Sequence, residues 1–240
     1  MRSQLVNNSI VNSYSEPIVL EGILSVEEVS RLVELFDRSD KTVKNTGPVT
    51  VNIDPMMVHE SPEILKILSS VEKYIGKFDI SAGLFFRVNY PHIIHNDDTW
   101  AFPKTYKAIT IPLELYGNGA GYPGLCIFDQ YYLEGPSKFF NGEHDMKLNY
   151  NKGVYEYSEV HNKSESSIDS ATQRTILSHI KPQWLEGLSI NKVLEWKPGN
   201  VMIFDSTKLH CATDFRRLGY TGKLGLSIFT KINDDVVSAR

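Results

Sequence analysis

Residues 196–210 read Trp196-Lys197-Pro198-Gly199-Asn200-Val201-Met202-Ile203-Phe204-Asp205-Ser206-Thr207-Lys208-Leu209-His210. This is a turn, then a strand, then a lone histidine. Proline followed by glycine signals a tight turn. Val201 to Asp205 is a short apolar run, which predicts a buried strand. His210 follows it. Further on, Lys223 opens a second strand-like run, Lys223-Leu224-Gly225-Leu226-Ser227-Ile228-Phe229-Thr230, with one cation near its start.

Far upstream lies His95-Asn96-Asp97. Residues i and i+2 of an extended strand point to the same side. His95 and Asp97 can therefore reach one metal ion from a strand end. With remote His210 they make up the 2-His-1-carboxylate facial triad. Such a triad holds Fe(II) by one face and leaves the opposite positions open for oxygen and an organic chelator. The third ligand must then arrive on a strand that is close in space though distant in sequence. Alternation points Asp98 to the other face, so Asp97 is preferred. His92 follows Pro91 and reads as a turn residue. The competing reading is an Asn/Asp-rich turn beside an unrelated core histidine; the flanking strands and Lys223 weigh against it.

Working outward, residues 80–130 look like β structure. Ile80 to Tyr90, Tyr106 to Tyr116 and Leu125 to Gln130 are strand-like, with turns at Pro91, Gly117-Asn118-Gly119 and Pro123-Gly124. Strands resume around 190–195. Ahead of this core, Ser25-Val26-Glu27-Glu28 is a capping box that opens a helix ending near Ser39. Its apolar face is Val29, Leu32, Val33, Leu35 and Phe36. Ser61-Pro62 starts a second helix, with Ile64, Leu65, Ile67, Leu68, Val71 and Ile75 inward and Gly76 as its C-terminal cap. Both helices are expected to brace the outside of the β core. A third helix is predicted over roughly 170–186, with Ile176, Leu177 and Ile180 inward and Pro182 kinking or shortening it. Residues 1–17 are polar and predict an arm or edge segment.

The pattern predicts one mainly β (α+β) domain over 1–240, built on a jelly roll, or double-stranded β-helix. Residues 1–79 supply helical support, 80–130 and 190–232 the β core, and 131–189 a long insert. That insert is expected to lie over the open end as a lid, with 131–168 its mobile part.

Composition narrows the function classes. A net charge of −4 leaves no electrostatic footprint for nucleic acid. Cys126 and Cys211 are too few for a disulfide framework, and no Cys-x-x-Cys spacing exists. The N-terminus carries Asn7, Asn8, Ser9, Asn12 and Ser13 where a signal peptide needs an apolar core, and no run suffices for a membrane span. A soluble cytoplasmic protein is expected.

The ordered combination His95, Asp97, Pro198-Gly199, His210 and Lys223 resembles the Fe(II)/2-oxoglutarate-dependent oxygenases, including the prolyl-hydroxylase-like and phytanoyl-CoA-dioxygenase-like branches. Phe86-Arg87-Val88-Asn89-Tyr90-Pro91 also resembles the strand before that family's first ligand. The resemblance covers roughly 80–130 and 194–232. It implies Fe(II), 2-oxoglutarate as co-substrate and O2, with hydroxylation of a C–H bond and release of succinate and CO2. Related halogenases lack the carboxylate, so Asp97 favours hydroxylation, or another hydrogen-abstraction outcome such as desaturation, over halogenation.

The resemblance also implies a buried cation for the distal carboxylate of 2-oxoglutarate, since an uncompensated carboxylate in an apolar barrel is costly. Lys223 is the first choice and Lys107 the second. The family more often has Arg-x-Ser where this chain has Lys223-Leu224-Gly225. Arg216 and Arg217 read as loop charges. Tyr90, Thr110 and Thr230 are candidate donors to the co-substrate. Arg87, Trp100 and Phe102 are candidate substrate contacts, and Tyr131-Tyr132 and the Tyr155/Tyr157 pair could also face a small-molecule or side-chain substrate. The alternative function is a non-catalytic, cupin-like jelly-roll module that binds a small molecule without iron. A cupin-like dioxygenase independent of 2-oxoglutarate is a third reading; it would leave the cation after His210 without a purpose.

Overall fold

The computed structural model describes residues 15–43, 48–98, 105–132, 137–138, 164–165 and 168–232. In chain order its strands are β1 (Ile18–Leu20), β2 (Thr42–Val43), β3 (Val49–Asn52), β4 (Phe78–Val88), β5 (His95–Asn96), β6 (Lys107–Gly117), β7 (Gly124–Tyr131), β8 (Ser137–Lys138), β9 (Ile190–Glu195), β10 (Val201–Asp205), β11 (Lys208–Ala212) and β12 (Tyr220–Ile232). The helices are α1 (Val26–Arg38), α2 (Pro55–Glu60), α3 (Pro62–Ile75) and α4 (Ser170–Ile176).

Two antiparallel sheets form a double-stranded β-helix. The larger has seven strands in the order β1-β10-β6-β12-β4-β3-β2, and the smaller has five, β8-β5-β11-β7-β9. Strands far apart in sequence thus become neighbours: β12 pairs with both β4 and β6. The edge strand β1 pairs along β10 and begins at Ile18, just past the expected arm of residues 1–17, of which 1–14 lie outside the described residues.

Period-2 alternation gives the seven-stranded sheet two distinct faces. Phe85, Ile109, Ile111, Leu113, Leu224, Leu226 and Ile228 face outward into a core shared with Leu32 and Phe36 of α1 and Ile64, Ile67 and Val71 of α3. The helices form where their signals lie. Ser25 accepts from Glu28 N while Glu28 reaches back to the Ser25 N–H, completing the capping box. Ser61 caps α3, and Gly76, at φ 77°, ends it. Helix α2 was not anticipated, although Asp54-Pro55 is a cap followed by proline at the first turn.

The opposite face of the sheet meets the five-stranded sheet. Ala108, Met202 and Phe204 pack there against Leu125, Ile127, Leu194 and Trp196. A third cluster covers the outside of the smaller sheet, where Leu177, Ile180, Leu185 and Leu188 lie on Cys126, Phe128, Leu209 and Cys211.

This third cluster corrects two expectations. The helix predicted over 170–186 ends at Ile176, and a separate 3-10 turn runs Pro182–Trp184. Local bonds compete with its continuation: Asp214 N donates to Ile176 O, and Gln173 Nε2 donates to Ile180 O. Proline also disfavours α conformation just before itself. The lid expected over 131–189 divides as well. Its later part, from Ile168 to Leu188, is a packed cover on the smaller sheet. Residues 139–163, which hold most of the proposed mobile part and Tyr155 and Tyr157, lie outside the described residues.

Candidate metal centre

His95 and His210 sit directly across from each other on β5 and β11. Their rings are 4.1 Å apart between centroids. Asp97 follows β5 at once, and its N–H donates to Ser206 O at 2.7 Å, which ties it to the turn between β10 and β11. Its carboxylate then meets both imidazoles. Oδ1 is 3.7 Å from His95 Nε2 and Oδ2 is 3.3 Å from His210 Nε2. One ligand atom from each of the three residues lies within 4.8 Å of the others. So Asp97, though two residues from His95, is placed by a backbone bond just past the strand rather than by the strand's own alternation.

The histidines are oriented as metal ligands. His95 Nδ1 lies 2.8 Å from Ile93 O, and His210 Nδ1 lies 3.0 Å from Lys208 O. A carbonyl oxygen only accepts, so each Nδ1 carries the proton and each Nε2 keeps its lone pair. Such an outer hydrogen bond fixes tautomer and ring angle in metal sites. Phe204 sets its edge against the His210 ring at 4.7 Å. Burial, then His92 and His210, hold the His95 imidazole well below its usual pKa, hence neutral. Burial works against ionisation of Asp97, but His210 and His95 outweigh it and keep the carboxyl below its usual range. Two imidazoles with Nε2 turned toward one carboxylate make a donor set that fits a divalent metal of the Fe(II) kind.

The side chains of His95 and Asp97 are 15% and 16% exposed, whereas His210 is 3% exposed. The centre therefore opens on the β5 side. His92 stacks on His95 at 4.1 Å between centroids but stands outside the three-residue ligand group. Asp98 is buried and also outside it.

The remaining candidates separate by face. Lys223 pairs across to Val88 and Leu115, on the side turned toward the smaller sheet. It is 3% exposed, and its Nζ lies 3.5 Å from the centroid of the Trp196 ring. Burial pushes its ammonium down to about 7. Among the described residues no carboxylate pairs with it. Thr110 shares this inner face, opposite Ser227.

Lys107 does not share it. Its ammonium forms an ion pair with Asp205 and lies 2.9 Å from Ser15 Oγ, on the parity of Ile109 and Ile111. Thr230 is committed too, since its hydroxyl accepts from Lys107 N and donates to Lys107 O. Arg87 packs its guanidinium over Phe36 of α1, at 5.6 Å, on the helix-covered face. It thus lies on the face of the sheet opposite to Lys223 and Trp196. Tyr90 is half-buried in the bend after β4. Arg216 pairs with Asp214 and is half-exposed, as a loop charge should be. Trp100 and Phe102 lie outside the described residues.

One residue escaped the sequence reading. Trp196 counted there only as the start of a turn; in the fold it is among the largest fully buried side chains and covers Lys223. Its partner signal is Gly225. A Cβ at that glycine would lie 2.7 Å from Trp196 Cζ2 and 2.8 Å from Phe86 Cζ. A side chain at position 225, where the Arg-x-Ser pattern would put serine, would collide with the indole.

No family model matches the sequence, and no curated protein does. Solved structures do match. The non-heme alpha-ketoglutarate-dependent epimerase SnoN from nogalamycin biosynthesis, in complex with Fe3+, alpha-ketoglutarate and nogalamycin RO, has a TM-score of 0.52 at 12% identity, over 94% of this chain and 84% of that one. HygX from Streptomyces hygroscopicus, with nickel and 2-oxoglutarate bound, has a TM-score of 0.50 at 11% identity, over 96% of this chain and 88% of that one. The chain therefore has the fold of the iron/2-oxoglutarate oxygenases, as its motif order implied.

Proposed function

We propose that the protein is a non-haem Fe(II)/2-oxoglutarate-dependent oxygenase that hydroxylates a C–H bond of a small-molecule or side-chain substrate. The observation that carries this reading is the ligand group itself. His95, Asp97 and His210 converge within 4.8 Å, and both histidines have Nδ1 bound to backbone carbonyls. A binding module without metal has no need for two imidazoles turned lone pair first onto a carboxylate. Iron held there with 2-oxoglutarate supplies the oxidising chemistry, in which O2 and 2-oxoglutarate are consumed, succinate and CO2 are released, and the C–H carbon gains one oxygen.

The chain's own residues do the rest. His95, Asp97 and His210 would hold the metal. Lys223 holds the distal carboxylate of 2-oxoglutarate, being the buried cation on the inner face. Lys107, the second choice, is taken by Asp205. Phe86 and Phe204 are apolar neighbours on that face, and apolar surroundings strengthen a buried charge pair. Residues 1–79, 80–130, 131–189 and 190–232 then form one domain. Among the described residues no helix is long and apolar enough to cross a membrane.

The test is succinate release. Purified protein with Fe(II) and 2-oxoglutarate, offered a metabolite and peptide panel in air, should form succinate in step with a hydroxylated product. Succinate formed with no substrate turnover in any panel would still leave an oxygenase. No 2-oxoglutarate consumption and no iron binding would leave a binding module.

A further inference from the structure

On the inner face of the seven-stranded sheet two donors meet at one indole ring, and among the described residues neither has a hydrogen-bond acceptor. Lys223 Nζ lies over the indole of Trp196. Trp196 is 1% exposed, and among the described residues its Nε1 has no hydrogen-bond partner. A buried N–H left unpaired forfeits its hydration with no return, so native folds rarely leave one without a reason. The ammonium is the costlier of the two, and the indole face offsets only part of its desolvation. The two orphans share one ring, and the wall beside them is closed by the Gly225 contact with that same ring.

Resting on the reading above, we infer that Trp196 is a specificity-determining residue for the co-substrate: its indole N–H donates to one oxygen of the distal carboxylate while the Lys223 ammonium meets the other. The indole has a second effect. By lying against Gly225 it occupies the space in which a serine hydroxyl would otherwise stand, so the chain replaces a side chain on β12 with a donor from the turn after β9. The pocket thereby requires a planar anion with two acceptor oxygens at the end of the 2-oxo acid. A chain of the same length ending in a methyl group leaves both donors unpaired and is rejected.

The experiment compares 2-oxoglutarate with 2-oxopentanoate, which has the same five-carbon chain but no distal carboxylate. Binding is measured by calorimetry with Fe(II) under nitrogen, on the full chain and on Trp196→Phe. The variant should bind 2-oxoglutarate about tenfold more weakly, the loss of one hydrogen bond to a charged group. Its affinity for 2-oxopentanoate should not change. Equal weakening toward both acids would make Trp196 a packing residue and overturn the inference, as would no change toward either. A wild-type protein that binds Fe(II) but not 2-oxoglutarate would defeat the co-substrate reading and the inference together. Should the variant fail to fold, the wild-type protein still decides. With Zn(II) in place of iron, one of the indole N–H resonances from its three tryptophans should move on addition of 2-oxoglutarate and stay in place with 2-oxopentanoate. Trp100→Phe and Trp184→Phe each leave that resonance in the spectrum if it belongs to Trp196, and its loss in either variant would overturn the inference. Three unmoved resonances would contradict the assignment.

Discussion

The two faces of the seven-stranded sheet each bury one lysine, and they treat it oppositely. On the helix-covered face Lys107 has a carboxylate, Asp205, and a hydroxyl, Ser15 Oγ, within reach. On the inner face Lys223 lies over the flat side of Trp196, and among the described residues no carboxylate pairs with it. Both lysines are nearly inaccessible, at 1% and 3%. Burial alone therefore does not distinguish structure from function; the presence of a partner does. A satisfied buried charge belongs to the fold, whereas an unsatisfied one marks where a ligand's opposite charge belongs.

The largest expected effect breaks the outer pair. Lys107→Ala leaves Asp205 buried without its cation and should destabilise the protein by about 3–5 kcal/mol. Denaturant unfolding measures this. The 2-oxoglutarate affinity of the molecules that remain folded should be unchanged. A selective loss of co-substrate binding would move the anchor to β6.

Lys223→Met should behave in reverse. It removes the anchor, so 2-oxoglutarate binding falls by on the order of 100-fold or more while Fe(II) binding persists. It should also stabilise the ligand-free protein, and the effect depends on pH. Lys223 is depressed from 10.5 to about 7 in the folded chain. The unfolded chain therefore holds that proton more tightly. Below about pH 7 the wild type carries the full cost of a buried ammonium. Across the window from 7 to 10.5 the cost fades as pH rises, since the unfolded state binds more protons there. After the indole contribution, the variant should be more stable by about 2–3 kcal/mol at pH 6, with the gap closing toward pH 10. Melting curves at both pH values measure this; a gap that is constant with pH would contradict a buried, unpaired Lys223.

Arg87→Ala gives the smallest effect. It removes a cation over Phe36 on the outer face, which is worth about 0.5–1 kcal/mol of stability. Substrate turnover, once a substrate is in hand, should not change.

Much of this layout was legible in the sequence. Strand positions followed from apolar runs and turn dipeptides: Lys107–Gly117 and Gly124–Tyr131 lie within a residue or so of expectation. The helix caps at Ser25 and Ser61 depend on local hydrogen bonds, so local sequence was enough. The triad was legible because two of its members are neighbours in the chain. The face of each lysine was not. Lys107 and Lys223 look alike as single cations at strand starts, and only the alignment of Asp205 with Lys107 across β10 and β6 separates them. Trp196 and Gly225 escaped for the same reason, since their contact joins two sheets. Helix α4 ended early because its continuation competes with bonds to Asp214 and Ile180, partners that a helical pattern does not reveal.

The most direct test of the central claim is anaerobic titration of the protein with Fe(II) and then 2-oxoglutarate, followed in the visible spectrum. The wild type should develop a weak charge-transfer band that saturates at one iron and one 2-oxoglutarate per chain. His95→Ala, Asp97→Ala and His210→Ala should each stay folded and lose iron affinity by more than about 100-fold, since even residues that only orient metal ligands cost 10–100-fold. A band of full intensity in the His210→Ala protein, or none in the wild type with iron bound, would contradict the assignment.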